Sequence, residues 1–234
     1  MLQFSIVEQV ILAVFLLSGI TFFLYHLLLR LKIVLKGKSD FSVDELPKRI
    51  IRVFDEVILH KKVVSGDRKS AGILHALVMY GFIFFGLITI NHFGMAFGFP
   101  IFSESFRHTY FLIFGAPWAI LCTIGILGLA YRRFVIKPEA LGKFSSTSAL
   151  VSVFIVTLMT TYLIDELHIL SGAAEKFNWW LHSGVIGGFL FLIPQSKHMH
   201  LVLSPFNIFL RPFEVPNLSL IHNSEPTRLQ QISY

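Results

Sequence analysis

Five long apolar stretches, almost free of charge, decide what this chain can fold into. They lie at 6–29, 71–92, 110–131, 148–167 and 178–198. As α-helices, stretches of roughly 20 residues match the hydrocarbon thickness of a bilayer. They are continuously apolar, not alternating, which excludes β-barrel spans. The expected fold is therefore all-α: a polytopic membrane protein with five transmembrane helices in a bundle. Composition agrees, with 54% hydrophobic and only 15% charged residues in 234. A soluble domain carries about 25% charged residues. No Lys or Arg precedes the first stretch, and it is too long for a cleaved signal peptide. The single cysteine, Cys122, makes no intrachain disulfide and holds no iron–sulfur cluster, which needs about four thiolates.

The net charge of +6 acts through where the cations fall. Eleven Lys and Arg lie from Arg30 to Lys69, and Arg132, Arg133, Lys137 and Lys143 follow the third stretch. The other two loops hold Arg107 and Lys176 alone, the latter beside Asp165, Glu166 and Glu175. Lys197 and Arg211 follow the fifth stretch. The positive-inside rule places the N-terminus outside and the C-terminus in the cytoplasm. Within the first basic loop, residues 47–64 carry Ile50, Ile51, Phe54, Val57, Ile58 and Val64 at helical spacing between charges. Two readings are open for this amphipathic helix: it lies on the cytoplasmic membrane surface, or it packs on a soluble domain.

Residues 218–228 read LSLIHNSEPTR, which matches ten of eleven positions of a translated transposase mosaic-end sequencing adapter, LSLIHISEPTR. The expectation is a membrane domain at 1–217, a non-native tail at 218–234, and a native chain that continues differently beyond Asn217.

Ten histidines in such a chain need an account, because an imidazole in hydrocarbon is costly and marks a ligand, a relay or a cavity. His26, His60, His108 and His168 sit at span ends or in loops and read as interfacial. His75 and His92 lie on the second span, and His182, His198 and His200 on or just past the fifth. Antiparallel helices bring His75 and His200 to one depth and His92 and His182 to another. Paired imidazoles across a bundle are the axial ligation of b-type haem. His182 and His200 are 18 residues apart, five full turns, so they share a face if the helix is straight. His198 is rotated by roughly 160° from His182 and stands as an alternate ligand. Glycines at 72, 81, 86, 184, 187 and 188 leave room for a macrocycle or serve helix packing.

The segment HSGVIGGFLFLIPQSKHMH at 182–200 resembles the fifth span of the respiratory nitrate reductase gamma subunit, a five-span cytochrome b. There too two His are 18 apart, with Pro and a basic residue between them where this chain has Pro194 and Lys197. DRKSAGILHALVMYGF at 67–82, RRFVIKPEAL at 132–141 and PQSKHMHLVLSPFNIFLRP at 194–212 resemble the related membrane domain of heterodisulfide-reductase-type iron–sulfur oxidoreductases. The resemblance implies one or two haem b groups, with His75 and His200 as the better pair and His92 and His182 as the weaker. It departs at one point. The second-span ligands of the nitrate reductase subunit are ten apart, and ten past His75 is Phe85.

The resemblance further implies a membrane electron-transfer subunit of the prokaryotic cytoplasmic membrane, not catalytic alone. It moves electrons between quinone or menaquinone and a cytoplasmic iron–sulfur or flavoprotein partner, with [4Fe–4S] clusters only in that domain or subunit. Asp165, Glu166 and His168 cluster at the outer face as quinone-site candidates, because quinone chemistry needs a proton-handling group. No nucleic-acid partner is expected. The alternative class is a non-haem anchor or small transporter that uses the histidines for metal or protons, with His182, His198 and His200 as one possible metal set.

Overall fold

A computed structural model describes residues 2–36, 45–64, 69–142 and 144–213. The tail from 218 and the expected native continuation lie outside the described residues. The described chain is helical. It comprises α1 (Ile6–Leu35), α2 (Leu46–Val53), α3 (Lys61–Val64), α4 (Lys69–Ala96), α5 (Glu104–Tyr110), α6 (Ala116–Tyr131), α7 (Ser146–Glu166), α8 (Gly172–Leu192) and α9 (His200–Leu210).

Local chemistry sets the starts and breaks. Ser5 and Glu8 form a reciprocal capping box that opens α1, and Ser103 and Ser145 cap α5 and α7. A wide π turn at Phe111–Gly115 joins α5 to α6. It ends two residues before Pro117, whose ring clashes with the carbonyl four residues back in a regular helix. Near Pro194, α8 stops at Leu192, and the chain turns through a short 3₁₀ segment, Lys197–Met199, before α9 begins. The straight fifth helix expected to reach residue 198 is therefore broken. His200 opens a new helix, and its direction owes nothing to the five-turn phase counted from His182.

Among the described residues, four helices are long and apolar enough to cross a membrane: α1, α4, the continuous run Glu104–Ile136 and α7. The expected fifth, α8, is long enough at 21 residues, but Glu175, Lys176, Asn178, His182 and Ser183 dilute its first half. It packs between α1 and α7. The polar residues that lower its hydropathy include those that build the site below.

α6 is the centre of the bundle, packed on α4 and α7, and its Ala119 and Cys122 are fully enclosed. Glycines make the close approaches. A Cβ on Gly125 would meet the Leu74 carbonyl at 2.8 Å, and one on Gly187 would overlap the Phe15 ring. Gly81 lies against Cys122 and Gly188 against Phe154. These glycines serve helix packing, while Gly86 and Gly184 meet nothing nearby. Outward, α1 exposes Ile6, Val7, Val10, Ile11, Val14 and Leu17, a face suited to lipid.

The basic segment at 47–64 is helical as expected, interrupted by a π turn at Phe54–Ile58. It docks on the bundle through α9. Arg49 is 2% exposed; its guanidinium donates to the Phe209 and Arg211 carbonyls at 2.8 and 3.2 Å and pairs with Glu45 at 2.7 Å. Arg52 donates to the Arg211 carbonyl and lies 3.5 Å over the Phe213 ring, while Arg211 pairs with Glu56. Partial burial and the Arg211 and Arg49 charges lower the Arg52 pKa from its ordinary value. Hydrophobic docking alone does not describe this helix: its cations cap the carbonyl end of α9.

Candidate functional site: two histidine pairs at opposite ends of the bundle

His75 lies in the second turn of α4, and His200 is the first residue of α9. Their ring centroids are 6.0 Å apart with planes at 44°. The His200 Nδ1–H donates to the Lys197 carbonyl at 2.8 Å. A carbonyl only accepts, so Nδ1 carries the proton and Nε2 keeps a free lone pair. The His75 Nδ1 is buried with no hydrogen-bond partner. Both rings line a cavity of about 350 Å³, walled by apolar side chains such as Phe82, Ile126 and Phe189. Arg132, Arg133 and Lys197 bring cations to the same cavity. His198 lines it too, with its ring 6.4 Å from that of His200 and its Nδ1 3.2 Å from the Ser196 hydroxyl.

Seventeen residues further along α4, about 25 Å at 1.5 Å per residue, stands the second pair. His92 and His182 have ring centroids 5.0 Å apart with planes at 57°. The His182 Nδ1 lies 2.7 Å from the Thr161 hydroxyl. That hydroxyl donates to the Thr157 carbonyl at 2.7 Å, so it accepts from His182 Nδ1–H and leaves Nε2 free. Asn178 donates to the Thr161 carbonyl at 2.9 Å and ties α8 to α7. His92 stacks on Trp179 at 4.7 Å, and its Nε2 is 3.0 Å from the buried Ser183 hydroxyl.

This second pair opens on a second cavity of about 400 Å³. Asp165, Glu166 and His168 all line it, together with Arg107, Glu104 and Glu175. Glu166 pairs with Arg107 at 3.2 Å, and both side chains are largely buried. Asn91, 2% exposed, accepts from the Ile101 and Phe102 amides at 2.9 Å each and fixes the loop that carries Arg107 inward. With His108 also in its lining, the cavity joins four imidazoles to carboxylates and one guanidinium.

His182 is not gathered with His198 and His200, so that set of three does not form. Among the described residues, no group of three or more His, Cys, Asp or Glu is arranged to hold a bare metal ion. His60 departs from its expected interfacial place. It is 5% exposed, in left-handed backbone at φ 51°, with its ring centroid 5.9 Å from that of His75. The signal was present in the sequence. His60 falls three residues after Val57 and four before Val64, on the apolar stripe of the segment and not on its charged side.

The fit of the His75–His200 pair to a haem can be tested on its own spacing. Two iron–nitrogen bonds of about 2 Å, plus about 1 Å from each nitrogen to its ring centre, set axial imidazole centroids about 6 Å apart. The His75–His200 spacing of 6.0 Å meets that, with a free Nε2 on His200 and cations beside the cavity. The His92–His182 spacing of 5.0 Å is shorter, and His92 spends Nε2 on Ser183.

The chain is similar to two proteins named as oxidoreductases. It is 30% identical over 224 aligned residues to the probable iron–sulfur-binding oxidoreductase FadF of Bacillus subtilis, covering 82% of this chain and 31% of that protein. It is 23% identical over 256 aligned residues to the EtfAB:quinone oxidoreductase of Syntrophomonas wolfei, covering 91% of this chain and 35% of that protein. The chain thus spans about a third of the length of the curated relatives it matches. No family model and no solved structure matches it. Similarity to oxidoreductases and four membrane-length helices together relate the chain to membrane-embedded redox proteins.

Proposed function

We propose that this chain is the membrane part of a quinone-linked oxidoreductase, with α8 as a fifth span, in the cytoplasmic membrane of a prokaryote. In this reading it passes electrons through haem b between quinone and a cytoplasmic iron–sulfur or flavoprotein partner. The observation that carries the reading is the pairing of His75 with His200 across a cation-flanked apolar cavity. The names of the two relatives, one iron–sulfur-binding and one quinone-linked, support it from outside.

His75 and His200 would hold the haem at this cavity, with the free Nε2 of His200 turned to it because the Lys197 carbonyl accepts its Nδ1–H. A bound haem supplies reversible one-electron chemistry that no side chain here offers. Phe82, Ile126 and Phe189 keep water from the cavity, and Arg132, Arg133 and Lys197 suit the carboxylates of such a group. The weaker pair, His92 and His182, holds a second haem only if His92 gives up Ser183. At the outer cavity, Asp165, Glu166 and His168 receive or supply the protons that accompany quinone chemistry, and Arg107 balances their charge.

The direct test is the optical spectrum of the purified full-length protein in detergent. A Soret band with reduced α bands of haem b, at one or two haems per chain by pyridine haemochrome, is expected. Haem-free protein from haem-replete cells would remove the reading and return the chain to the anchor or transporter class.

A further inference from the structure

We infer that His60 is a positioning residue for His75: its imidazole accepts the His75 Nδ1–H, directly or through one water, and so aims the His75 Nε2 into the inner cavity. The inference rests on the haem reading above and names a role within it.

Three independent observations converge on His60. First, its backbone sits at φ 51°, outside the regions an L-residue with a large ring prefers. Such a conformation persists only where the surroundings impose it. Second, the side chain is 5% exposed, although Ile58 and Leu59 immediately before it are exposed. Third, its Nδ1 is buried without a partner, and so is the Nδ1 of His75. Two buried, orphaned nitrogens on neighbouring rings are costly separately and complementary together. One can donate and the other accept.

The distances suit the pairing. Imidazoles that share an N–H···N bond of about 2.9 Å have centroids roughly 5 Å apart. The His60–His75 centroids are 5.9 Å apart at 36°, less than about 1 Å beyond that, a gap that a small ring rotation or one water closes. Bonds of this kind are often long before the site is filled and tighten on binding. His60 does not line the inner cavity, whereas His75 does. It therefore stands behind His75, not across the cavity from it.

The fold holds His60 there. The Tyr80 hydroxyl on α4 donates to the Ile58 carbonyl at 2.6 Å, clamping the chain two residues before His60. The Tyr80 ring also lies 5.9 Å from the His60 ring. Tyr80 and His75 are on the same helix, so the element that carries the ligand also anchors its orienting partner. No other acceptor for the His75 Nδ1–H is found among the described residues.

The test uses the full-length haem-loaded protein in native membranes and in detergent, with three variants. His60→Ala is expected to insert normally and bind haem at the inner site. It should lose that haem ten- to hundredfold faster to a soluble haem scavenger, the usual scale for removing an orienting partner. It should also shift the low-spin EPR g value of the inner haem, which reports imidazole orientation and hydrogen bonding. His60→Gln, whose amide oxygen can accept the same bond, should restore both readings most of the way, which a purely structural role does not predict. Unchanged scavenging rate and g value in His60→Ala overturns the inference. So does complete loss of the inner haem in His60→Ala with no rescue by His60→Gln, because that marks an axial ligand. His75→Ala separates the two levels of argument: if it keeps every haem, the haem reading itself has failed, whatever His60 does.

Discussion

At the residue scale, the site is a matter of which imidazole nitrogen is occupied. Lys197 takes the Nδ1–H of His200, and Thr161 takes that of His182, so each ring presents the other nitrogen. His75→Ala or His200→Ala should each remove one haem per chain by pyridine haemochrome while the protein stays inserted. His198→Ala should remove none, since its Nδ1 is engaged with Ser196 and its ring sits beside His200, not opposite His75. Full haem content in both His75→Ala and His200→Ala would refute the assignment. At the outer pair, Thr161→Val removes the acceptor of His182 and leaves the rest of the side chain's volume. Haem retention there should fall by roughly ten- to hundredfold, read as the haem retained by that variant after scavenger treatment. No change would argue that His182 serves packing or quinone instead.

At the element scale, α2 and α9 lock each other. The buried Arg49 supplies hydrogen bonds to two carbonyls at the end of α9, a place where a helix otherwise leaves acceptors unsatisfied. Arg49→Met keeps the stem and removes the donors. Leaving buried acceptors unmet costs about 1–3 kcal/mol, so amide exchange around Leu210 should accelerate by tenfold or more. Equal exchange in both proteins would show that α9 is held by its apolar contacts alone. The glycine contacts make a second prediction at this scale. Gly187→Leu drives a side chain into Phe15 where α1 meets α8, whereas Gly184→Leu meets open space. The first should lower the thermal midpoint in detergent by several degrees, and the second should leave it near the parent value.

At the scale of the whole molecule, the bundle separates two chemistries by its length. The inner end combines histidines, arginines and lysine; the outer end combines histidines and carboxylates. If the basic end is cytoplasmic, as the loop charges require, cysteine placed at Ser103 should react with an impermeant maleimide in intact cells. Cysteine placed at Lys137 should react only after lysis. The reverse pattern would invert the site, putting His75 and His200 outside and the carboxylate cavity within.

Much of this was legible from the chain alone. Apolar length and loop charge determine a helical membrane protein, because hydrocarbon tolerates no unpaired backbone and its thickness sets the helix length. Histidines at matched positions on two stretches marked residues worth attention, because imidazoles are costly in that setting. Pattern could not settle the rest. Matched depth set His200 beside His75, and helical phase put it on one face with His182 only if the helix is straight, yet the chain near Pro194 ends α8 and starts α9, and the meeting with His75 is made across that break. The sequence ranked 178–198 with the other spans, whereas polar residues dilute the helix α8 that forms there, and its neighbours satisfy some of them, as Thr161 does for Asn178 and His182. His60 looked interfacial because sequence distance measures nearness to a span end, not burial. Only the fold of the segment onto α4, clamped by Tyr80, carries that ring to His75. Periodicity is a property of one element, whereas a site is made where elements meet, and that meeting is decided by packing between residues far apart in the chain.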